Sequence, residues 1–552
     1  MIKLKMALLI FALALMTSLP ACDVQQQTAE ENPHYETPRL VVGIMVDQLR
    51  YDYLYRYWDK YGDDGFKRLL NDGFSFDNAQ FDYMPTYTGP GHASVYTGTT
   101  PAVHGIIGNN WYVKAEDRST YVTEDPNYQS VGIETEAGQM SPRWMLSSTI
   151  SDELRLHTNM RSKVVGISLK DRGSILPAGH TGDAYWFDYD TGDFITSSYY
   201  YDELPGWVQQ FNSRNLVGQY LSEPWETLLP IEEYIESIED DNLYEGTHSG
   251  QDRPVFPHDL PTLREENRPG MVSLTPFGNE LLLELTYAAI EGESLGQNEV
   301  TDLLAVSFSS PDHMGHMYGP ASVEIQDMYL RFDLQIANLL NYLDVNFGKD
   351  NVLVFMTSDH GAGHVPNYLK DLGLPAGNFS GSDLADPVRE FLTAEYGEDL
   401  LKNVSNQQVF LNRERIAQLG ENLQEVQEKV AQFVLQLDGV AGAVTAHALQ
   451  FSQFTDGLHW KVQRGYNQQR SGDVMTWLEP QWMPGGSTGT THGSPFSYDI
   501  RAPLVWYGWD IPAGRSTQPV YISDIASTLA VYLNTPFPNG NTGNPMNHFM
   551  KE

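Results

Sequence analysis

The sequence holds one cysteine, Cys22, in 552 residues, so no disulfide can form within the chain. Positive charge is also scarce. Lys and Arg number 34 against 72 Asp and Glu, a formal net charge of −38. A surface this acidic excludes nucleic acid and anionic membrane surfaces as partners. It reads as a solvated face suited to a saline medium. Beyond the N-terminus no apolar run approaches the ~20 residues of a membrane span. No internal repeat or low-complexity stretch interrupts the chain.

What remains is ample for a large core. Hydrophobic residues make up 41% and charged residues 19%, the balance of a folded chain. Residues 1–22 carry Lys3 and Lys5, then ALLIFALALM, then Leu19-Pro20-Ala21-Cys22, the layout of a secretory signal. A cysteine directly after a small residue at the cleavage point is similar to a bacterial lipoprotein signal. Pro20 departs from that pattern, and ordinary cleavage nearby is the alternative. Because the only cysteine stands at this place, Cys22 is expected to carry lipid, and residues 23–38 to form a polar tether. The chain is then expected outside the cytoplasm, in the periplasm or at the cell surface, touching membrane only through this anchor. Nothing in the sequence demands more than a monomer.

The core begins at residue 39 with LVVGIMV. KVVGISL (163–169), the strand of 351–358 and PLVWYGW (503–509) read as further strands. Phe332, Ile336, Leu339, Leu340 and Leu343 recur at helical spacing within 329–347, with Gly348 as the stop. A helix near 523–533 follows PLVWYGW. This strand–helix–strand rhythm predicts an α/β fold with a doubly wound, mostly parallel central sheet. Two stretches break it, at about 200–280 and 376–480, the second with a helix over 421–437. Both are expected to be insertions that cap the carboxyl edge of the sheet, within one domain spanning 39–552.

In open sheets of this kind, sites form outside the carboxyl ends of the strands. Asp47 follows LVVGIMV, and Asp312 and His316 follow LLAVSF. Asp359 and His360 follow VLVFMTS, and His492 lies in GGSTGTTHGS. Six Asp and His residues are the ligand types of zinc and similar ions, enough for two ions with three ligands each. Asp312 and His316 are four apart and share a face if helical. Asp47 alone could equally cap the helix of YDYLYRYW. Thr88, in PTYTGPGHAS, stands just before an expected helix start, with Pro90 as the first helical residue. There a hydroxyl could attack phosphorus beside an anion held by helix amides; it could also simply cap the helix. His92 reads as structural. Lys170 and Arg172 flank Asp171 after a strand and could reach an oxyanion, or pair with Asp171 at the surface.

Taken together, MVDQLRYDYL, PTYTGPGHAS, HGIIGNNWY, SLKDR, SPDHMGH, SDHGAGH and GTTHGS resemble the alkaline phosphatase superfamily, and within it the PafA-like, threonine-dependent alkaline phosphatases. The likeness runs from about Arg39 to the C-terminus. It implies that Thr88, rather than Thr86, is the nucleophile and passes through a phosphothreonine intermediate. It implies two zinc ions: one held by Asp47, Asp359 and His360 with Thr88, the other by Asp312, His316 and His492. It implies that Asn109, Lys170 and Arg172 contact the phosphoryl oxygens of small-molecule phosphate monoesters. A sulfatase is excluded because Thr88 lacks the C/S-x-P-x-R setting. A nucleotide pyrophosphatase/phosphodiesterase is the nearer rival, and the Lys170-x-Arg172 pair separates the two. A surface-tethered binding protein with a dead site is the non-enzymatic rival.

Overall fold

The computed structural model describes residues 37–547 and residue 549. The signal segment, Cys22 and most of the 23–38 tether lie outside the described residues.

From Pro38 onward the chain is organised by an 11-stranded sheet. Its spine is β1 (Leu40–Val46), β2 (Phe74–Gln80), β3 (Val164–Ser168), β4 (Asp183–Phe187), β5 (Asp302–Phe308), β6 (Val352–Thr357) and β7 (Arg501–Gly508). Across the sheet they run β2, β7, β6, β1, β5, β3, β4. The pairs from β6 to β4 are all parallel. β7 runs against both of its neighbours. The mostly parallel, doubly wound sheet expected from the sequence is present, with two reversed strands, β7 and Phe194–Ser197.

β1, β5 and β6 are buried along their whole length, as near-continuous apolar strands covered on both faces must be. Their side chains divide between two cores. Leu40, Val42, Ile44 and Val46 enter one, and Val41 and Met45 the other, following the period of two along a strand. Helix α1 (Thr88–Thr97) lies close over the second face. Gly43 makes that approach possible, since a Cβ there would come within 2.4 Å of the Tyr96 hydroxyl and 2.6 Å of Phe355. On the first face the expected amphipathic helix is α2 (Val323–Phe347), which begins earlier than its apolar pattern because Ser322 Oγ accepts from Ile325 N at 3.2 Å. It stops at Gly348, φ 82°.

Register decides where the functional loops fall. Val46 is level with Phe308, Met45 with Thr357, and Ser168 with Ser307. The carboxyl ends of β3, β5, β1 and β6 therefore form one row in that order. The residues that follow them, Lys170, Asp312, Asp47 and Asp359, come in the same order along one edge.

The two irregular stretches differ in kind. Residues 401–478 build a separate four-stranded antiparallel sheet with its own core, into which Val426, Val430 and Val434 of the helix Leu423–Val434 pack. It reaches the main body at several places, among them the loop after Gly108, where Asn406 Nδ2 donates to Asn110 O at 2.7 Å, and Ala102, whose carbonyl accepts from Asn467 Nδ2 at 3.1 Å. The stretch from 200 to 280 has no sheet of its own. Trp225, Tyr234 and Leu260 join the main core instead. Its backbone meets the sheet edge where Gly246 N donates to Met317 O at 2.8 Å and Gly489 N to Tyr244 O at 2.8 Å.

Candidate active site

Asp47, Asp359 and His360 converge at the edge. Each offers a ligand atom, all within 4.8 Å of one another, and Asp312, His360 and His492 form a second such group. All five are buried. His360 belongs to both, its ring stacked on His492 with centroids 3.4 Å apart. His316 stands beside the second group, its Nε2 3.2 Å from Asp312 Oδ1.

The donor chemistry fits a divalent ion. His360 Nδ1 meets Gly361 O at 3.0 Å, His492 Nδ1 meets Thr86 O at 2.7 Å, and His316 Nδ1 meets Thr490 O at 2.7 Å. A carbonyl can only accept, so each Nδ1 carries a proton; in His360 and His492, which burial keeps neutral, Nε2 then presents a lone pair, while Asp312 raises the pKa of His316 against its burial. This is how metal-binding histidines are oriented. Asp47 Oδ1, Asp359 Oδ2 and His360 Nε2 are buried with no hydrogen-bond partner. Three orphaned ligand atoms in a single group would be costly unless a cation satisfied them.

The charges in the site act strongly on one another. Burial, then the repulsion of Asp47, push the Asp359 carboxyl well above the usual range. Burial would do the same to Asp312, but the attraction of His316 and Lys170 outweighs it and holds that group well below. Burial keeps His360 neutral, down to about 3, and burial with the neighbouring His360 does the same to His492.

Asp47 does not cap a helix, because the next one, Tyr53–Arg56, starts behind Asp52. Nor does Lys170 pair with Asp171. Its ammonium donates to Asp47 Oδ2 at 2.6 Å and to Asp312 Oδ2, joining one carboxylate from each group. Burial would lower its pKa, but those two charges raise it. Two of its three N–H donors are thus engaged. The neighbouring Asp171 is taken by the hydroxyls of Tyr121 and Thr123. Arg172 rests on Tyr121, its Nη1 donating to that hydroxyl at 2.9 Å.

Thr88 is the first residue of α1, with Tyr87 at the cap position. It is 1% exposed and makes no capping bond. Pro90 is the third helical residue rather than the first. The helix start offers an anion fewer amides than expected. Gly89 N donates to Asn109 Oδ1 at 2.7 Å, Gly91 N to Tyr87 O, and Pro90 has none. Anion contacts therefore pass to side chains. The bond to Gly89 fixes the Asn109 amide so that its Nδ2 is the group left to donate. Thr86 is spent otherwise, its hydroxyl bonded to Ser494 O at 3.1 Å. His92 is structural as expected, with Nδ1 on Thr88 O and Nε2 on Ser307 Oγ. A cavity of about 530 Å³ opens beside Lys170, Arg172 and Asp312, walled by Tyr189, Leu274, His313 and Met317.

Two contributors carry no signal in the sequence. Tyr121, on a separate hairpin, steadies Arg172, and Gln48 donates to Asp359 Oδ1 and Asp312 Oδ1. Only the fold brings either to the site.

Residues 41–509 match the family model of type I phosphodiesterase / nucleotide pyrophosphatase. A protein of Myroides odoratus named calcium-transporting ATPase is 46% identical over 94% of this chain and 95% of its own length. The alkaline phosphatase PafA of Elizabethkingia meningoseptica is 43% identical over 92% of this chain and 94% of its own. The crystal structure of wild-type PafA superimposes with a TM-score of 0.90 and 42% identity, covering 94% of this chain and 99% of that one.

Burial and the repulsion of Asp47 favour the protonated form of Asp359, whereas an ion needs the carboxylate. Because that carboxyl is raised, the proton is held at low pH and lost as pH climbs. Affinity for Zn²⁺ should therefore fall on acidification, by up to about tenfold per pH unit for each proton released. Competition titrations against a chromophoric chelator at several pH values would measure this, and a flat profile would contradict it.

Proposed function

The chain belongs to the type I phosphodiesterase / nucleotide pyrophosphatase family, within the alkaline phosphatase superfamily, and we propose that it is an alkaline phosphatase that hydrolyses phosphate monoesters through a phosphothreonine at Thr88. The observation that carries this reading is a buried, uncapped hydroxyl at a helix start beside two groups of convergent ligands. Asp47, Asp359 and His360 would hold one zinc ion, and Asp312 and His492, with His316, the other. Bound there, divalent ions lower the pKa of a hydroxyl and stabilise a departing alkoxide. Thr88 Oγ1 forms the bond to phosphorus as the ester oxygen leaves, and water then takes the phosphoryl group from Thr88 in a second in-line displacement. Asn109 Nδ2, the third N–H of Lys170 and the guanidinium of Arg172 receive charge on the non-bridging oxygens. The cavity beside Lys170 and Arg172 holds the organic group of the ester.

The relative named a calcium-transporting ATPase aligns over the same length. Among the described residues no helix is long and apolar enough to cross a membrane, and the ligand groups lie at strand ends. The hydrolytic reading accounts for them directly. We further propose export and lipid anchoring at Cys22, so that Cys22→Ser should move the protein from the membrane fraction to the soluble one; equal partition of both forms would refute the anchor.

Thr88→Ala should abolish phosphate release while Thr86→Ala retains a good share of it, and acid-quenched enzyme should carry its phosphate on Thr88. Phosphate found on Thr86 would overturn the assignment. Lys170 and Arg172 should matter more for monoesters than for diesters. A monoester keeps charge on three equatorial oxygens in its transition state, whereas a diester has one of them esterified. Loss of a charge-assisted contact costs roughly 1.5–3 kcal/mol, about ten- to over a hundred-fold in rate. kcat/KM for matched aryl mono- and diesters in Lys170→Ala and Arg172→Ala should show that loss on the monoester, with diester activity changing much less. Parallel losses would assign the pair to support of the fold or the metals.

A further inference from the structure

The turn after β1 contains a residue whose cost has no local explanation. Gln48 has φ 63°, in the left-handed region that Gly and Asn enter far more easily. A backbone held there in a bulky residue persists only when its surroundings dictate it. Gln48 is 3% exposed and lies away from solvent.

Three features account for the side chain. The Gln48 backbone N–H donates to Asp359 Oδ1 at 3.1 Å. This leaves Oδ2 of the same carboxylate, an orphaned atom, as the oxygen free to bind. The Gln48 side-chain Nε2 donates to Asp312 Oδ1 at 2.6 Å. The same oxygen lies 3.2 Å from His316 Nε2 and 3.6 Å from His492 Nε2. The third feature is space. A Cβ on Gly315 would stand 1.9 Å from Gln48 Oε1, so the helix Ser310–Tyr318 must carry glycine where the carboxamide lies against it. The turn itself is pinned by Leu49 N donating to Ser358 Oγ at 3.0 Å.

Asp359 belongs to the group with Asp47 and His360, and Asp312 to the group with His360 and His492. One residue thus donates to a carboxylate of each group. Lys170 also bridges the groups, but it is charged and lines the cavity. Gln48 is neutral and does not.

We propose that Gln48 is a positioning residue for the metal centre: it fixes one carboxylate of each ligand group and sets the register between the two ion positions. The inference rests on the two-ion reading. Partners that orient metal ligands are typically worth 10–100-fold in metal affinity. The two bonds of Gln48 are separable, because truncation removes the one to Asp312 and keeps the backbone N–H on Asp359.

The test is zinc release from the purified, zinc-loaded enzyme to a chromophoric chelator, beside the melting temperature of the ion-free chain. Wild type should release two ions. A wild type that holds none would refute the two-ion reading itself, separately from the role of Gln48. In Gln48→Ala one ion should be held about 10–100-fold more weakly, the other close to wild type, with no loss of melting temperature in the ion-free chain. Gln48→Glu keeps the length but sets a carboxylate against Asp312, and should weaken the same ion at least as much. Gly315→Ala displaces the carboxamide from the other side and should weaken that ion too. If Gln48→Ala fails to fold, Gln48→Gly relieves the left-handed backbone and carries the same expectation. Unchanged affinity for both ions in the Ala and Glu variants would overturn the proposal. So would loss of both ions together with a lower ion-free melting temperature in every variant, the mark of a role in folding alone.

Discussion

Three carboxylates buried within reach of one another are the constraint on which the rest of this structure depends. At separations of about 4 Å, two such charges repel by roughly 4 kcal/mol even at an effective dielectric of 20. Asp47, Asp312 and Asp359 are each essentially inaccessible, so solvent cannot relieve them. Lys170 supplies one positive charge and spends it on Asp47 and Asp312. Asp359 makes no ion pair with it, and burial with the repulsion of Asp47 pushes that carboxyl well above the usual range in spite of Lys170. A chain otherwise poor in positive charge has placed its buried ammonium where the negative charge is densest, and the shortfall is what bound cations would supply.

The sheet turns that constraint into a site. Parallel register sets four strand ends level, and each strand hands on one charged residue. Gly43 lets the far end of α1 approach the sheet, and Gly91 lets its start lie against Asp359, where an added Cβ would stand 2.5 Å from the Asp359 carbonyl oxygen. The imidazoles are aimed by backbone carbonyls, so the orientation of the histidine ligands follows from the path of the chain.

Much of this was legible in the sequence because the chemistry and the sheet share one signal, an apolar strand followed by a polar residue. That signal exposes Asp47, Asp312, Asp359, His360 and the Lys170–Arg172 pair. It is silent on partners brought from elsewhere. Nothing near Tyr121 marks it as the support of Arg172, and Gln48 looks like any polar residue after a strand. The bonds Lys170 makes were also hidden, since its obvious neighbour, Asp171, is claimed by two hydroxyls. The helix start misled in a different way. Pro90 reads as the first helical residue, yet Thr88 is, and Asn109 takes the amide that was expected to greet an anion.

Though Val444, Met475 and Trp477 share a second cluster with Met84 of the main body, the four-stranded unit within 401–478 has a core of its own. Substitutions inside it act on a cluster separate from the one beneath the ligands, and effects at distant, independent sites add rather than interfere. The unit is tied to the main body at many points, among them Asn406 on the backbone of Asn110, Lys402 on Asp117, Asn467 on Ala102 O, and Arg470 on Gly105 O and Trp144 O. Selection can therefore remodel the part of this module that packs on its own core, away from those ties, while the chemical machinery is inherited unchanged. Divergence among relatives should gather there, and the module is the natural place for exchange between homologues.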